Sequence, residues 1–410
     1  MTSSINSSSS PKPPTSLPRQ TETQKISTSA KISTTKEKPD SSHPALAVMN
    51  ASASHHTTKV KYSKDIAFHR ELKRRVEEYF QQTGLPQHDP PQMFRKTAVI
   101  LSWFAISWVL LVFVASSWWQ AGVLSVSLGL AMAGIGLSIQ HDGSHGAYSK
   151  QQFVNQLMAM SLDLVGGSSY IWKWQHNVIH HSYTNIVGVD HDIDLGILCR
   201  FAPQQQHLWF HRFQHVYLWP IYGLLAFNWH FYSDFQKLIQ GRIGEHRFPR
   251  PQGRDLVVFV LGKVMFFSWA FLIPALFHPL WQIIVCYVLT SFVASFVLSI
   301  VFQSAHCVQE ADFPSLPANS NHVNNSWAMH QVATTVDFAP DNRLLTWYVG
   351  GLNFQVEHHL FPDVCHIHYP ALAPIVESVC SQFGVKYASH PTFLAAISSH
   401  SRWLRLLGCA

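Results

Sequence analysis

The 410-residue chain is 47% hydrophobic and only 13% charged, with 27 Phe and 14 Trp, whereas soluble domains carry about 25% charged residues. Two or three ordinary soluble domains are thereby excluded, and the dispersed net charge of +6 leaves no basic stripe suited to nucleic acid. The six cysteines (Cys199, Cys286, Cys307, Cys365, Cys380 and Cys409) form no CxxC pair and read as reduced thiols, not a disulfide framework.

Residues 1–60 are rich in Ser, Thr, Lys and Pro, with few acids and almost no aromatics. Such a segment cannot bury enough apolar surface to offset its ordering entropy and reads as a disordered tail. It lacks the apolar stretch of a secretory signal; its composition fits a solvated cytoplasmic tail or an organellar targeting segment. Residues 61–410 read as one domain. From Lys64 to Phe80, a helical pattern sets Phe68, Leu72, Val76, Tyr79 and Phe80 on one side, beside Lys73, Arg74 and Arg75, which predicts an interfacial helix.

Four apolar runs follow, at 97–117, 121–139, 256–277 and 281–302, each close to the roughly 20 residues that cross a bilayer. The links within each pair are short and carry no Lys or Arg, while basic residues crowd the flanking segments. That asymmetry places the N-terminal part, the long middle segment and the C-terminal part together on the cytosolic side. The fold expected is therefore all-α and integral to the membrane, with four transmembrane helices in two hairpins and a cytosolic helical cap. The apolar stretches 154–172 and 213–232 are interrupted by Asp163, Gly166, Gly167 and Pro220 and read as interfacial or re-entrant.

Of 26 histidines, seven fall in three clusters: His141-Asp-Gly-Ser-His145, His176-Asn-Val-Ile-His180-His181 and Gln355-Val-Glu-His358-His359. Helical residues four apart share a face, so His141 with His145, and His176 with His180, aim pairs of imidazoles at one point. His181, turned aside, reaches toward a second metal. Imidazole is a ligand for Zn, Cu, Fe and Ni, and seven ligands exceed the four of a structural zinc site, which favours two ions. The topology brings all three clusters to one membrane face, with His306 at the end of the fourth span as an eighth ligand. Gln355, a poorer ligand, is expected beside the site, with Asp142 and Glu357 as carboxylates that accept the distal N–H of a metal-bound His. The run Asp190-His-Asp192-Ile-Asp194 reads as a solvated loop, and His366 and His368 as structural groups or rim contacts. Lys263, inside the third span, either snorkels to the interface or meets an anionic head group.

These clusters resemble the histidine boxes of the membrane fatty acid desaturases. The likeness continues in His145-Gly-Ala-Tyr148, in His181-Ser-Tyr-Thr-Asn185, through Gly350 to Pro362, and in His366-Ile-His-Tyr-Pro370, and it covers roughly residues 65–408. Within the family the chain is most similar to cyanobacterial-type front-end (Δ6-like) acyl-lipid desaturases and to the linoleoyl-CoA desaturase-like group. The resemblance implies two Fe ions in a non-haem diiron centre, O2 as co-substrate, and a cis double bond introduced into an acyl-lipid or acyl-CoA. The ligands it implies are His141, His145, His176, His180, His181, His358 and His359, with His306 by position. Gln355 matches the Gln that opens the third box in front-end members, which favours Δ6 or Δ5. The chain carries no His-Pro-Gly-Gly haem motif, so a separate donor, ferredoxin or a free cytochrome b-type protein, supplies the electrons. An acyl hydroxylase on the same iron core is the near alternative. A His-rich membrane zinc protein is the remote one, because it calls for ligands within the spans.

Overall fold

The computed structural model describes residues 60–316 and 321–410. The expected Ser/Thr-rich tail lies outside the described residues.

Helix α1 (Ala67–Thr83) buries Phe68, Leu72, Val76 and Phe80, a stripe at helical spacing. The sequence predicts an interfacial helix here, but the stripe is covered by protein: it shares a core with Val356, Leu360, Leu372, Val376 and Val379. The amphipathic pattern is the same in both cases, and only the tertiary partner distinguishes them.

Four helices are long and apolar enough to cross a bilayer: α2 (Pro91–Phe113), α3 (Trp118–His145), α7 (Arg254–Leu276) and α8 (Leu280–His306). At 1.5 Å per residue, the 27 residues of α8 span roughly 40 Å. Their outward faces carry exposed Val99, Ile106 and Val109 on α2, Val257, Val260, Leu261 and Val264 on α7, and Ile284, Val285 and Val288 on α8. A contiguous apolar surface of that kind suits lipid. Inside, Ile100 and Phe104 pack with Leu128, Ala131, Met132, Ile135 and Ala294. Helices α3 and α8 cross closely at Gly129, where an added Cβ would sit 2.5 Å from the Thr290 carbonyl oxygen, a small-residue crossing of the membrane type.

The helix boundaries differ from those read in the sequence in one important respect. Helix α3 does not stop before the first histidine cluster; it runs through a π-helical stretch, Ile135–Gln140, into His141–His145. Among the described residues, neither 154–172 nor 213–232 forms a fifth span; both break into short helices. Lys263 neither snorkels nor awaits a head group. It is buried and donates to Gly166 O (2.7 Å), Asp234 Oδ2 (2.8 Å) and Trp229 O (3.1 Å), tying α7 to α6 (225–240).

Between the spans lie α4 (169–183) and α5 (Gln214–Tyr222), and after them come α9 (Trp327–Thr334), α10 (Gln355–Leu360), α11 (Tyr369–Phe383) and α12 (Phe393–Cys409). Two small sheets complete the described fold. Strands β1 (Arg242–Ile243) and β2 (His246–Arg247) pair antiparallel, and β3 (Asp337–Phe338) and β4 (Ser389–His390) pair in parallel. Gly350, in the turn before α10, has φ +67°, and a Cβ there would lie 2.1 Å from the Leu137 carbonyl oxygen. Only glycine permits both the left-handed backbone and the approach, and the approach sets the third cluster beside the π-helical end of α3.

Candidate metal centre

The first two clusters both occur where the helix is locally wound as a π-helix, Ile135–Gln140 before His141 and Lys173–His180 through the second cluster. A π-turn adds one residue per turn and is a recurrent device at functional sites. Residues five apart then come into line, and Nε2 of His181 lies 3.3 Å from Nε2 of His176. The sequence spacing assigns His176 and His180 to one point and turns His181 aside. The first two do share a group with Asp192 and stack with ring centroids 5.1 Å apart, while the π-helical winding also brings His181 to His176.

All eight candidate histidines meet. His141, His145, His176 and His358 form one group of potential donors, and His180, His306 and His359 another; within each, the donor atoms lie within 4.8 Å of one another. His141 Nε2 is 3.3 Å from His176 Nε2, and His358 Nε2 is 3.0 Å from His181 Nε2. His181 stacks on His359 with ring centroids 4.2 Å apart, so it stands between the two groups. Apart from half-buried His145, every one of these rings is buried.

The ring nitrogens test whether metal suits this place. His180 Nε2, His306 Nδ1 and His359 Nε2 are buried without a hydrogen-bond partner, as is His181 Nδ1. Three of these belong to a single group. An unsatisfied buried polar atom costs about 1–3 kcal/mol, and a shared cation satisfies all three together. Burial, aided by the neighbouring imidazoles, holds His181, His358 and His359 well below the usual imidazole range. They are therefore neutral, the form that ligates metal. His180 is the exception. Burial pulls it down, but the Asp190 carboxylate outweighs burial and leaves it raised.

The sequence profile described as "Fatty acid desaturase" matches residues 116–391. The chain is also 40% identical over 354 residues to a protein of Arthrospira platensis named sn-1 linoleoyl-lipid 6-desaturase, an overlap covering 85% of this chain and 95% of that one. This chain belongs to the fatty acid desaturase family. A second sn-1 linoleoyl-lipid 6-desaturase, from Synechocystis, is 35% identical across 86% of this chain and 98% of its own. An acyl-lipid (8-3)-desaturase of Physcomitrium patens is 38% identical across 83% of this chain and 72% of its own.

As a member of that family the protein is an oxygen-dependent oxidoreductase, and the groups behind its histidines take on meaning. Asp190 and Asp192 are not a solvated loop. His180 Nδ1 donates to Asp190 Oδ2 at 2.8 Å, and His176 Nδ1 lies 3.3 Å from Asp192 Oδ2. Asp190 also accepts the backbone N–H groups of Asn185 and Asp192, each at 2.9 Å. Asp192 accepts from Gln175 Nε2, whose Oε1 accepts from Lys237. Although burial alone would raise the Asp192 carboxyl, the hydrogen bond and charge of His176 hold it below the usual range. Behind the third box, His359 Nδ1 is 2.8 Å from Gln331 Oε1, to which Thr184 Oγ1 donates at 2.9 Å. Tyr369 Oη lies 3.3 Å from His358 Nδ1.

The carboxylates chosen from sequence have other partners. Asp142 Oδ2 sits 2.8 Å from Nδ1 of His366, whose Nε2 is 2.8 Å from Lys96 Nζ. Glu357 is fully buried and shares Tyr387 Oη with Asp337. Neither therefore meets a box ring: Asp142 engages the side chain and backbone N–H of His366, and Glu357 the Tyr387 hydroxyl. Gln355 does meet a candidate ligand: its side-chain amide is 2.9 Å from His306 Nε2. His368 Nε2 is taken up by Pro86 O at 2.9 Å, a structural role. Asp190 and Asp192 sit two apart in a run of three alternate acids, Asp190, Asp192 and Asp194, shortly after the second box; that spacing is the one sequence signal that marks them. Gln331 and Thr184 carry none.

Proposed function

We propose that this protein is a front-end, Δ6-like acyl-lipid desaturase working at a non-haem diiron centre. The observation that carries the reading is the convergence of eight histidines from four chain segments, seven of them in two adjoining groups and His181 between, with buried, unpartnered nitrogens. His141, His145, His176 and His358 would hold one iron and His180, His306 and His359 the other, with His181 placed between the two groups. Iron with nitrogen ligands supplies the dioxygen chemistry that removes hydrogen from an unactivated acyl chain.

The protein's own groups hold the imidazoles for that task. Asp190, Asp192, Gln331 and Tyr369 engage the distal nitrogens, fixing ring orientation and tautomer. Asp142 and Glu357 support the same site at one remove, through His366 and through Tyr387. Burial of the rings keeps water out, and the apolar bundle holds the acyl chain so that one C–H faces the oxidant. Residues 61–410 form the desaturase domain. The four spans make two hairpins, turned at 114–117 and 277–279, with the helical cap and all the boxes on the cytosolic (or stromal) face; the distribution of Lys and Arg supports that orientation. Electrons arrive from a separate donor, ferredoxin or a free cytochrome b-type protein.

The Δ6 position rests on Gln355 beside His306 and on the names of the two cyanobacterial relatives. A relative of Dictyostelium discoideum named Delta(5) fatty acid desaturase A favours Δ5 as the second reading. Expression in a host fed linoleate and α-linolenate, with mass spectrometry of the products, tests both. A new cis double bond at carbon 6 is expected. A hydroxy acid without a new double bond would overturn the desaturase reading, and a bond at carbon 5 would select the alternative.

A further inference from the structure

The hairpin of β1 and β2 turns through Gly244 and Glu245 shortly before the third span. Its register sets Arg242 directly opposite Arg247. Both are exposed, and among the described residues neither forms an ion pair. Like charges facing each other across a two-stranded ladder destabilise it, so the pair is kept at a cost to the hairpin. Arg250 and Arg254 follow, also exposed, and exposed Lys173 stands next to Trp174, which packs 6.3 Å from Phe248 of the hairpin segment.

The inner side of the hairpin is seated on the metal centre's own supports. Ile243 and Phe248 are buried with Ile179, Tyr183 and Ile186. The His246 ring stacks on Tyr183 with centroids 5.7 Å apart and planes 13° apart, and its Nε2 lies 3.1 Å from Val189 O. A Cβ on Gly244 would be 3.5 Å from His191 Nδ1. Tyr183 follows His180 and His181 in the chain, and Val189 to Asp192 is the loop whose carboxylates engage His176 and His180. An unpaired cationic edge is thus separated from the second box by one layer of side chains.

We propose that this hairpin is the docking face for a small acidic protein carrying a one-electron centre, which reduces the site. The inference rests on the diiron reading above and names the partner's place on it. Converting CH2–CH2 to CH=CH releases two electrons and two protons, and reducing O2 to two waters takes four of each. The missing two electrons come from two successive encounters, each oxidising one carrier by one electron, and the missing two protons come from solvent. A basic cluster before a membrane span also suits anionic head groups. Membrane anchoring, however, gives no reason for the hairpin to rest on the loop that holds His176 and His180, whereas electron delivery does.

The test uses the full chain in nanodiscs of neutral lipid, with a plant-type [2Fe–2S] ferredoxin of net negative charge as the probe. The double variant Arg242→Glu/Arg247→Glu is expected to weaken ferredoxin binding about tenfold or more at low ionic strength and to flatten its salt dependence, since rim charges act through screened attraction. Lysine at both positions is expected to keep binding within about threefold of the parent, because it keeps the charge. No ferredoxin binding by the parent, unchanged affinity in the Glu variant, or an equal loss in the Lys variant would overturn the proposal. So would a Glu variant that binds ferredoxin normally but no longer associates with anionic vesicles, which would assign the arginines to the membrane. Product formation by the parent with a small diffusible reductant scores the desaturase reading separately: its absence would count against that reading, while the binding measurement would still decide the docking face.

Discussion

Nδ1 of His180 lies 2.8 Å from Oδ2 of Asp190, and both side chains are fully buried. The same carboxylate accepts two backbone N–H groups, so its position is fixed before any metal binds. Asp190→Ala is therefore expected to lower iron retention about 10–100-fold, with Asp190→Asn falling less because its amide oxygen still accepts from the ring. Metal analysis of the purified variants against chelator concentration checks this. Equal retention in parent and Ala variant would remove Asp190 from the site.

His180→Ala and His358→Ala each take one imidazole from one of the two groups. Turnover is expected to disappear in both, while the protein is still recovered in the membrane fraction, because the spans lie outside the change. Fatty acid analysis alongside membrane fractionation makes the measurement. Near-normal product from either variant would show the ligand set to be wrong.

Burial pushes the Asp337 carboxyl up to about 6. The folded protein therefore keeps a proton that the unfolded chain, with an ordinary carboxyl near 3.8, has given up. Between those two values the native state binds more protons, so stability falls as pH rises through the window and stays at its lower level above it. Asp337→Asn cannot ionise and should lose that fall. Thermal unfolding followed at several pH values from about 4 to 7 should give a flatter profile for the variant; parallel profiles would refute the assignment.

Gly350→Ala meets two obstacles, a φ of +67° and a Cβ placed 2.1 Å from the Leu137 carbonyl oxygen. The left-handed backbone alone costs roughly 1–2 kcal/mol, and the clash adds to it by forcing the turn before α10 away from α3. Lower thermal stability with reduced iron content is the expected result. A variant as stable as the parent would mean that this contact does not hold the third box in place.

What the sequence disclosed and what it hid divide along physical lines. The four helices long and apolar enough to cross a bilayer were readable because a bilayer demands long apolar runs, and length and composition mark them. The histidines were readable because imidazoles at helical spacing are rare in apolar company. Their full grouping was not: His176 and His180 do pair, sharing a group with Asp192, but the π-helical winding of the second box also brings His181 within 3.3 Å of His176, which counting by fours does not show. Asp190 and Asp192 look like any polar loop until folding lays the loop against the box. The stripe of α1 and the ammonium of Lys263 were ambiguous for the same reason: a pattern records that a face is covered, and only the fold says by what.

His145 and His306 are the last residues of two helices of 28 and 27 residues that begin at Trp118 and Leu280. In a bilayer, their height would be coupled to how lipid seats those rods. A hydrophobic stretch that mismatches its bilayer responds by tilting, and tilting either rod shifts its terminal imidazole against those carried by α4 and α10. Were these helices to cross a bilayer, its thickness would bear on how the terminal imidazoles meet the others, and acyl chains of the kind a desaturase alters are the material that sets such a thickness.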